Sequence, residues 1–382
     1  MDNSVLALPA PPQRCGAVLS QPVAPPLSAS DRWKAWDDFV EATPDTGFMQ
    51  SSWWVEFRNC SEFENFGITL KDGNNIVGGA VVLKYSYLED RCFYYIQDGP
   101  VLPGEPLVAE EVFATILEAI KERRKTEPQT VSHLRIEPRW QGLPGFVRGF
   151  RSTPESMDGY REPRNTLWID LRSSEEAILS QMKPKGRYNV RVAQRHGVSV
   201  IEDNSEQGLA DFLRIYKRTV ARQEMRNKPP GYFRTLVPML SSFQRGSIFF
   251  AEYGGVRLAT AVVVYFGRRA TYFFGGSLVR HREVMAPYLL HFEIMRRAKA
   301  TGYEWYDLWG VAPQNLPNHR WRDISIFKRK FGGVEIQLAP TLDYVYDMAT
   351  YERYIAAECE VSGSRGNSLD AVDYTSCAWG AP

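Results

Sequence analysis

One pattern of helices and strands runs through this chain and then runs again, and that repetition limits the fold more than any single motif. In the first pass, Trp33, Trp36, Phe39 and Val40 recur at helical spacing and predict a helix over 32–41, with a short helix over 51–58 after it. Strands are predicted over 65–71, 76–85 and 91–96, the first two joined by a turn at Asp72-Gly73-Asn74-Asn75. A long helix over 106–125 follows, with Val108, Val112, Phe113, Ile116, Leu117 and Ile120 on one face, and then a strand over 133–137. The second pass opens with a strand over 166–171, a helix over 174–181 and a basic helix over 185–196 that Gly197 closes. A strand over 198–202 and helices over 206–224 and 232–242 lead into strands over 246–253, 257–266 and 269–275, joined by short Gly-containing hairpins. A helix over 286–301, stopped by Gly302, and a strand over 305–308 complete it. Two tandem copies of one α+β unit explain this more economically than two unrelated domains. The 382 residues agree, at roughly 150 residues per domain. No residue-level repeat accompanies the structural one.

The ends of the chain lack this periodicity. Residues 1–30 carry six prolines (Pro9, Pro11, Pro12, Pro22, Pro25 and Pro26) and read as a disordered leader. Residues 358–382 read as a flexible tail. The expected organisation is therefore a leader over 1–30, a first domain over 31–163, a second over 164–339 and a tail over 358–382. Lys plus Arg number 46 and Asp plus Glu 45, so no protein-wide field for polyanions exists and any anion must be met locally. The five cysteines are scattered without CxxC spacing, and the five histidines form no HExxH or HxxxH pair. A disulfide framework and a structural zinc site are both disfavoured, and no metal is expected. There is no apolar run of 18 residues and no secretory signal pattern. A cytoplasmic protein is expected, one that visits the inner face of the membrane at most.

Local charge is concentrated in two places. Lys183, Lys185, Arg187, Arg191 and Arg195 fall in thirteen positions, 183–195, that hold no acidic residue, and Arg187, Arg191 and Arg195 lie at i, i+4 and i+8 on one helical stripe. Such a stripe suits phosphates, an RNA backbone or anionic lipid, or it is a solvated face paired with acids elsewhere. The second cluster, Arg320 to Lys330, ends in Phe327-Lys328-Arg329-Lys330-Phe331-Gly332-Gly333. In a helix Lys328 and Lys330 diverge, so one can enter a cleft and support a developing oxyanion. The alternative is a charged last turn that favours the helix dipole. Tyr306-Asp307-Leu308-Trp309-Gly310 and Tyr94-Tyr95-Ile96-Gln97-Asp98-Gly99-Pro100 each place a carboxylate among aromatics at a strand end. No P-loop, dinucleotide fingerprint or nucleophile elbow is present. The nearest approach to an acetyl-CoA loop, Gln194-Arg195-His196-Gly197-Val198-Ser199, ends a helix instead of following a strand.

Taken in order, the motifs resemble those of the Fem-type aminoacyltransferases that build peptidoglycan interpeptide bridges, over roughly residues 30–350. The resemblance rests on Phe48-Met49-Gln50-Ser51 with Trp53, Tyr95 with Gly99-Pro100, Met182 to Arg191, Tyr272 to Ser277, Pro287-Tyr288-Leu289-Leu290, Tyr306 to Gly310, and Phe327 to Gly333. It implies two tandem acetyltransferase-like (GNAT) domains with mixed sheets, the segment 340–357 returning to the first. It also implies transfer of an amino acid from aminoacyl-tRNA to the side-chain amine of a peptidoglycan-precursor stem peptide, with no coenzyme A or other cofactor. The precursor, UDP- or lipid-linked, and the acceptor end of the tRNA are the implied partners.

Carried over residue by residue, the resemblance makes Lys328, preceded by Phe327, the group that steadies the tetrahedral oxyanion. The two cations that grip the precursor's diphosphate correspond to Arg58, where the family usually has lysine, and Lys228 with Tyr232, where it has arginine. These exchanges keep charge but change geometry, because lysine lacks the bidentate fork. Tyr95 and Tyr272 correspond to aromatic residues of the precursor cleft. Arg187, Arg191 and Arg195 are the candidates for acceptor-end phosphates. Two other readings stand beside this one. One is a GNAT-like N-acyltransferase that draws on an acyl carrier or acyl-CoA in polysaccharide or envelope modification. The other is an idle scaffold that only binds an anionic precursor.

Overall fold

The computed structural model describes residues 5–7, 15–20, 31–60, 63–153, 162–223 and 228–363. They form two compact units. One runs to Glu162 and resumes at Leu338, and the other spans Pro163–Gln337. The first unit opens with β1 (Val5–Ala7), β2 (Cys15–Ser20), α1 (Asp31–Ala42), a 3-10 turn at Phe48–Gln50 and α2 (Ser52–Asn59). It continues through β3 (Asn65–Asp72), β4 (Asn75–Leu88), β5 (Arg91–Gln97), α3 (Pro106–Lys125), β6 (Thr130–Glu137) and β7 (Phe150–Ser152). The second unit comprises β8 (Asn165–Asp170), α4 (Glu175–Gln181), α5 (Pro184–Arg195), β9 (Ser199–Glu202), α6 (Glu206–Gln223) and α7 (Pro230–Ser242). Then come β10 (Gly246–Tyr253), β11 (Val256–Phe266), β12 (Arg269–Ser277), α8 (Ala286–Ala300), β13 (Trp305–Gly310), α9 (Arg322–Lys328), a 3-10 turn at Arg329–Phe331 and β14 (Val334–Gln337). The chain returns to the first unit as β15 (Leu342–Val345) and α10 (Met348–Gly363).

Both sheets are mixed, and their orders match. The first runs β1-β2-β3-β4-β5-β6-β15-β7, and the second, read in the same sense, runs β9-β10-β11-β12-β13-β8-β14. In each, an antiparallel meander meets one parallel neighbour across a helical crossover, β5 with β6 through α3 and β12 with β13 through α8. A crossover of this kind is what parallel pairing demands. Helix α3 begins at Pro106, and the Glu105 carboxylate accepts the Leu107 and Val108 N–H groups, so the first turn is capped. Its buried face, Val112, Phe113, Ile116, Ala119 and Ile120, joins Ile68, Leu70, Tyr94 and Leu134 in the first core. Val108, on the apolar face predicted from periodicity, lies in this first turn and is exposed. The second core gathers Leu290, Ile294 and Met295 of α8 with Val190 and Ala193 of α5 and Ala261 and Val263 of β11.

Two terminal expectations change. Within the segment read as a disordered leader, β2 pairs with β3 from Cys15↔Asp72 to Ser20↔Gly67, and β1 adds to β2. The stretch 15–20 contains no proline, so every residue keeps the N–H that pairing within a sheet needs. The rest of the leader lies outside the described residues. At the other end α10 continues past Glu358 because that side chain is buried on Arg135, whose guanidinium lies 3.0 Å away. The remainder of the predicted tail, from residue 364, is outside the described residues.

Candidate active site

The parallel pair of the second unit separates halfway along. Strand β12 pairs with β13 only at Arg269↔Trp305, Ala270↔Tyr306 and Thr271↔Asp307. Beyond Thr271, β12 stays on β11 as far as Ala259↔Ser277. Strand β13 also bulges, because Asp307 lies opposite Trp168 and Gly310 opposite Thr166, which sets Leu308 and Trp309 against Leu167 alone. Trp309, inside the bulge, has φ 59°, a left-handed conformation that costs a bulky residue about 1–3 kcal/mol. The Asp307 carboxylate is fully buried and accepts the Trp309 N–H at 2.8 Å and the Thr166 hydroxyl.

Lys328 meets both strands just past their separation. Its Nζ donates to the Gly310 carbonyl at 2.7 Å and stands 5.7 Å from the centroid of the Tyr272 ring. Helix α9 is held in place by Ser325, whose Oγ accepts the Ala312 N–H at 2.7 Å and donates to the Trp321 carbonyl. One turn later the lysine is only 5% exposed. Gly332 and Gly333 end this segment with φ 79° and 81°, and a Cβ at either would strike the carbonyl of Gln181 or Trp168. Phe327 packs edge-on against Tyr288, and Phe331 and Phe327 flank His291. The His291 ring stands 4.6 Å from Tyr272, and its Nδ1 shares a 2.8 Å hydrogen bond with the Tyr306 hydroxyl.

This apolar wall changes protonation. Burial lowers Lys328 from the usual amine range to about 7, and the Asp307 charge opposes the fall. Burial, with the Lys328 charge beside it, holds His291 down to about 3, so the imidazole is neutral. When charged, Lys328 has two further N–H donors beyond the one given to Gly310, held in low-dielectric surroundings where a carbonyl oxygen gaining negative charge is strongly stabilised.

The other predicted residues fall into separate groups. Lys228 lies 5.4 Å from the ring centroid of buried Tyr232 in the second unit. In the first unit, Arg58 is buried with its guanidinium 4.0 Å from the Phe63 centroid and donating to the Tyr85 hydroxyl. Tyr95 lies edge-on to Tyr85 and donates to Glu137. The arginine stripe divides. Arg187 donates to the Ser180 and Met182 carbonyls, satisfying the open end of α4, whereas Arg191 and Arg195 are exposed. A cavity of about 450 Å³ lies beside this helix between Lys183, Gln314 and Gly332-Gly333, with Arg329 bound to Glu335 at 2.7 Å on its wall.

Spacing alone did not identify Thr166, which bonds Asp307 from β8, or His291, which joins the aromatic wall from α8. A histidine inside the run Leu289-Leu290-His291-Phe292 was the available signal, since a buried imidazole needs a partner.

A family pattern described as the FemAB family matches residues 33–142, 145–252 and 242–358, most of both units. The chain belongs to the FemAB family. Among curated relatives, a UDP-N-acetylmuramoylpentapeptide-lysine N(6)-alanyltransferase of Weissella viridescens is 24% identical over 78% of this chain and 88% of its own length. A lipid II:glycine glycyltransferase of Staphylococcus epidermidis is 19% identical over 82% of this chain and 92% of its own. Among solved structures, FemX aligns with a TM-score of 0.75 at 16% identity, covering 84% of this chain and 97% of that one. L-PGS from Bacillus licheniformis aligns at 0.51 and 13% identity, covering 90% and 98%. The FemX likeness and the matching strand orders of the two mixed sheets agree with the tandem α+β organisation read from the sequence.

Proposed function

We propose that this FemAB-family chain is an aminoacyltransferase of peptidoglycan interpeptide-bridge formation, and that it moves an amino acid from aminoacyl-tRNA to the side-chain amine of a precursor stem peptide. The observation that carries the reading is Lys328, a buried ammonium reaching across the gap between β12 and β13. The relatives' names support the substrate class, since they are an alanyltransferase and glycyltransferases of muropeptide precursors. In the proposed step the neutral acceptor amine attacks the ester carbonyl of the aminoacyl-tRNA and a tetrahedral oxyanion forms. Lys328 donates a hydrogen bond to that oxygen, with Phe327 walling its side chain. The C–O ester bond then breaks, the amide forms, and the proton released by the amine is taken up by the departing tRNA hydroxyl.

The gap is the place for the ester. In the second unit Lys228 with Tyr232 is assigned to a phosphate of the precursor and Tyr272 to an aromatic contact with it; in the first unit, taken by itself, Arg58 is assigned to a phosphate and Tyr95 to an aromatic contact. Arg191 and Arg195 are assigned to acceptor-end phosphates ahead of Arg187, whose Nη1 is engaged at the end of α4. With so few phosphates neutralised, affinity for tRNA falls only gently with salt. No helix of the described residues is long and apolar enough to cross a membrane, so a lipid-linked precursor would be met at the membrane surface.

The test is transfer of a labelled amino acid from charged tRNA to UDP-linked and lipid-linked precursors, followed by mass. The reading predicts a gain of one amino-acid residue on the stem peptide that ribonuclease treatment of the donor abolishes. Transfer that survives ribonuclease, or proceeds from acyl-CoA instead, would remove the tRNA donor.

A further inference from the structure

Three features of the β13 end are costly and adjacent. Asp307 is a carboxylate with no exposed surface, Trp309 sits in a left-handed conformation, and the strand carries one extra residue against β8. A buried carboxylate is tolerated only when its oxygens are supplied with donors, and a strained bulky residue only when its surroundings enforce it. Here one arrangement meets both needs. The Asp307 carboxylate turns back to take the Trp309 N–H two residues ahead, and the Thr166 hydroxyl of β8 fastens the same oxygen. The turn sets the direction of the next carbonyl, that of Gly310, which receives the Lys328 ammonium at 2.7 Å. It also sets the Trp309 indole edge-on to Phe273 of β12, 5.6 Å away across the separated strands.

We propose that Asp307 is a positioning residue for Lys328: it holds the bulged end of β13 so that Gly310 faces the ammonium, and it sets a buried carboxylate behind that turn. This rests on the aminoacyl-transfer reading of Lys328. The groups around the lysine leave Asp307 this part. From α8 come His291 and Tyr288, from β12 Tyr272 and from β13 Tyr306. On the lysine's own segment Arg329 and Lys330 add positive charge, with Arg329 bound to Glu335. His291 is held neutral, and burial keeps Tyr272, Tyr288 and Tyr306 in their uncharged phenol form. Burial alone lowers the lysine, and Asp307 is the group that opposes it.

Asp307→Asn isolates the charge, because the amide oxygen still accepts from Trp309 and Thr166. The direct readout is titration of Lys328 by the 13C shift of its ε-carbon in lysine-labelled protein, the signal being assigned by its loss in Lys328→Met. Wild type titrates near pH 7, and Asp307→Asn is expected about one pH unit lower. In the transfer assay the alkaline fall in turnover moves down by the same amount, about a tenfold loss at pH 7.5 with a much smaller loss at pH 6 and KM for the precursor unchanged. A folded Asp307→Asn protein with an unmoved Lys328 midpoint overturns the proposal, and so does a moved midpoint with an unmoved turnover profile. If Asp307→Asn fails to fold, Thr166→Val releases the carboxylate from β8 while keeping its charge. Its Lys328 midpoint must then shift, and an unshifted one overturns the proposal. Should the transfer reaction itself be absent, no variant has turnover, and the titration still decides whether Asp307 controls Lys328.

Discussion

The two units solve the same problem at their central strands in opposite ways. In the first, β5 leaves its antiparallel partner after Leu83↔Tyr95 and keeps its parallel one to Gln97↔Glu137. The space it vacates is filled. The Gln50 amide accepts the Val81 N–H at 2.7 Å and donates to the Gln97 carbonyl at 2.5 Å, replacing the ladder bonds that β4 and β5 no longer make. In the second unit, β12 keeps its antiparallel partner and leaves its parallel one, and a lysine reaches into that space instead. The buried charges differ in the same sense. Arg135 of the first unit is matched by Asp343 at 2.8 Å and Glu358 at 3.0 Å. Lys328 has a carbonyl, a ring face and one carboxylate acting from behind the bulge. A charge fully matched inside the protein is structural. One left with free donors beside a gap is available for chemistry.

The comparison can be broken at either unit. The largest effect is expected for Arg135→Met, which leaves two buried carboxylates without their cation and lowers unfolding free energy by about 3–5 kcal/mol. Turnover per folded molecule should not change, and denaturant titration alongside the transfer assay measures both. A smaller effect follows from Gln50→Leu, which strands the Val81 N–H and the Gln97 carbonyl and costs about 1–3 kcal/mol, again without a specific loss of turnover. A fall in turnover exceeding the loss of folded protein in either variant would make the first unit more than a recognition and support body.

The last is a pH effect in the second unit. His291 has a folded value of about 3 against an ordinary 6.5, so between these the unfolded chain binds a proton that the folded one refuses. Stability is therefore lost as pH falls below 6.5, by about 1.4 kcal/mol per pH unit from this residue. His291→Gln should flatten that slope in denaturation curves collected between pH 4 and 6.5. An unchanged slope would mean the imidazole is not held neutral by its burial.

Much of the architecture was legible because both units rest on elements long enough to show a period. The 20-residue α3 and the three hairpin strands β10–β12 announce themselves. The short strands β7, β14 and β15 do not, since three or four residues cannot display alternation. At the candidate site the spacing of Phe327–Gly333 left Lys328 and Lys330 both open and only the family resemblance chose Lys328, while the Tyr306–Gly310 motif set Asp307 among aromatics at a strand end. What the sequence did not reveal was convergence, because Thr166 and Asp307 are 141 positions apart. Arg187 shows the opposite error. Helical spacing placed it on a stripe with Arg191 and Arg195, but spacing cannot register the unpaired carbonyls at the end of α4 that claim it.

The central claim is that Lys328 performs chemistry in the second unit and is not a fold-stabilising charge. Single-turnover transfer from aminoacyl-tRNA to the precursor, measured for wild type and Lys328→Met with precursor affinity determined on the same samples, tests it directly. The rate should fall by about 10²–10³ with affinity and folding retained, the loss expected when an oxyanion donor is removed. A Lys328→Met protein that transfers at the wild-type rate would contradict it.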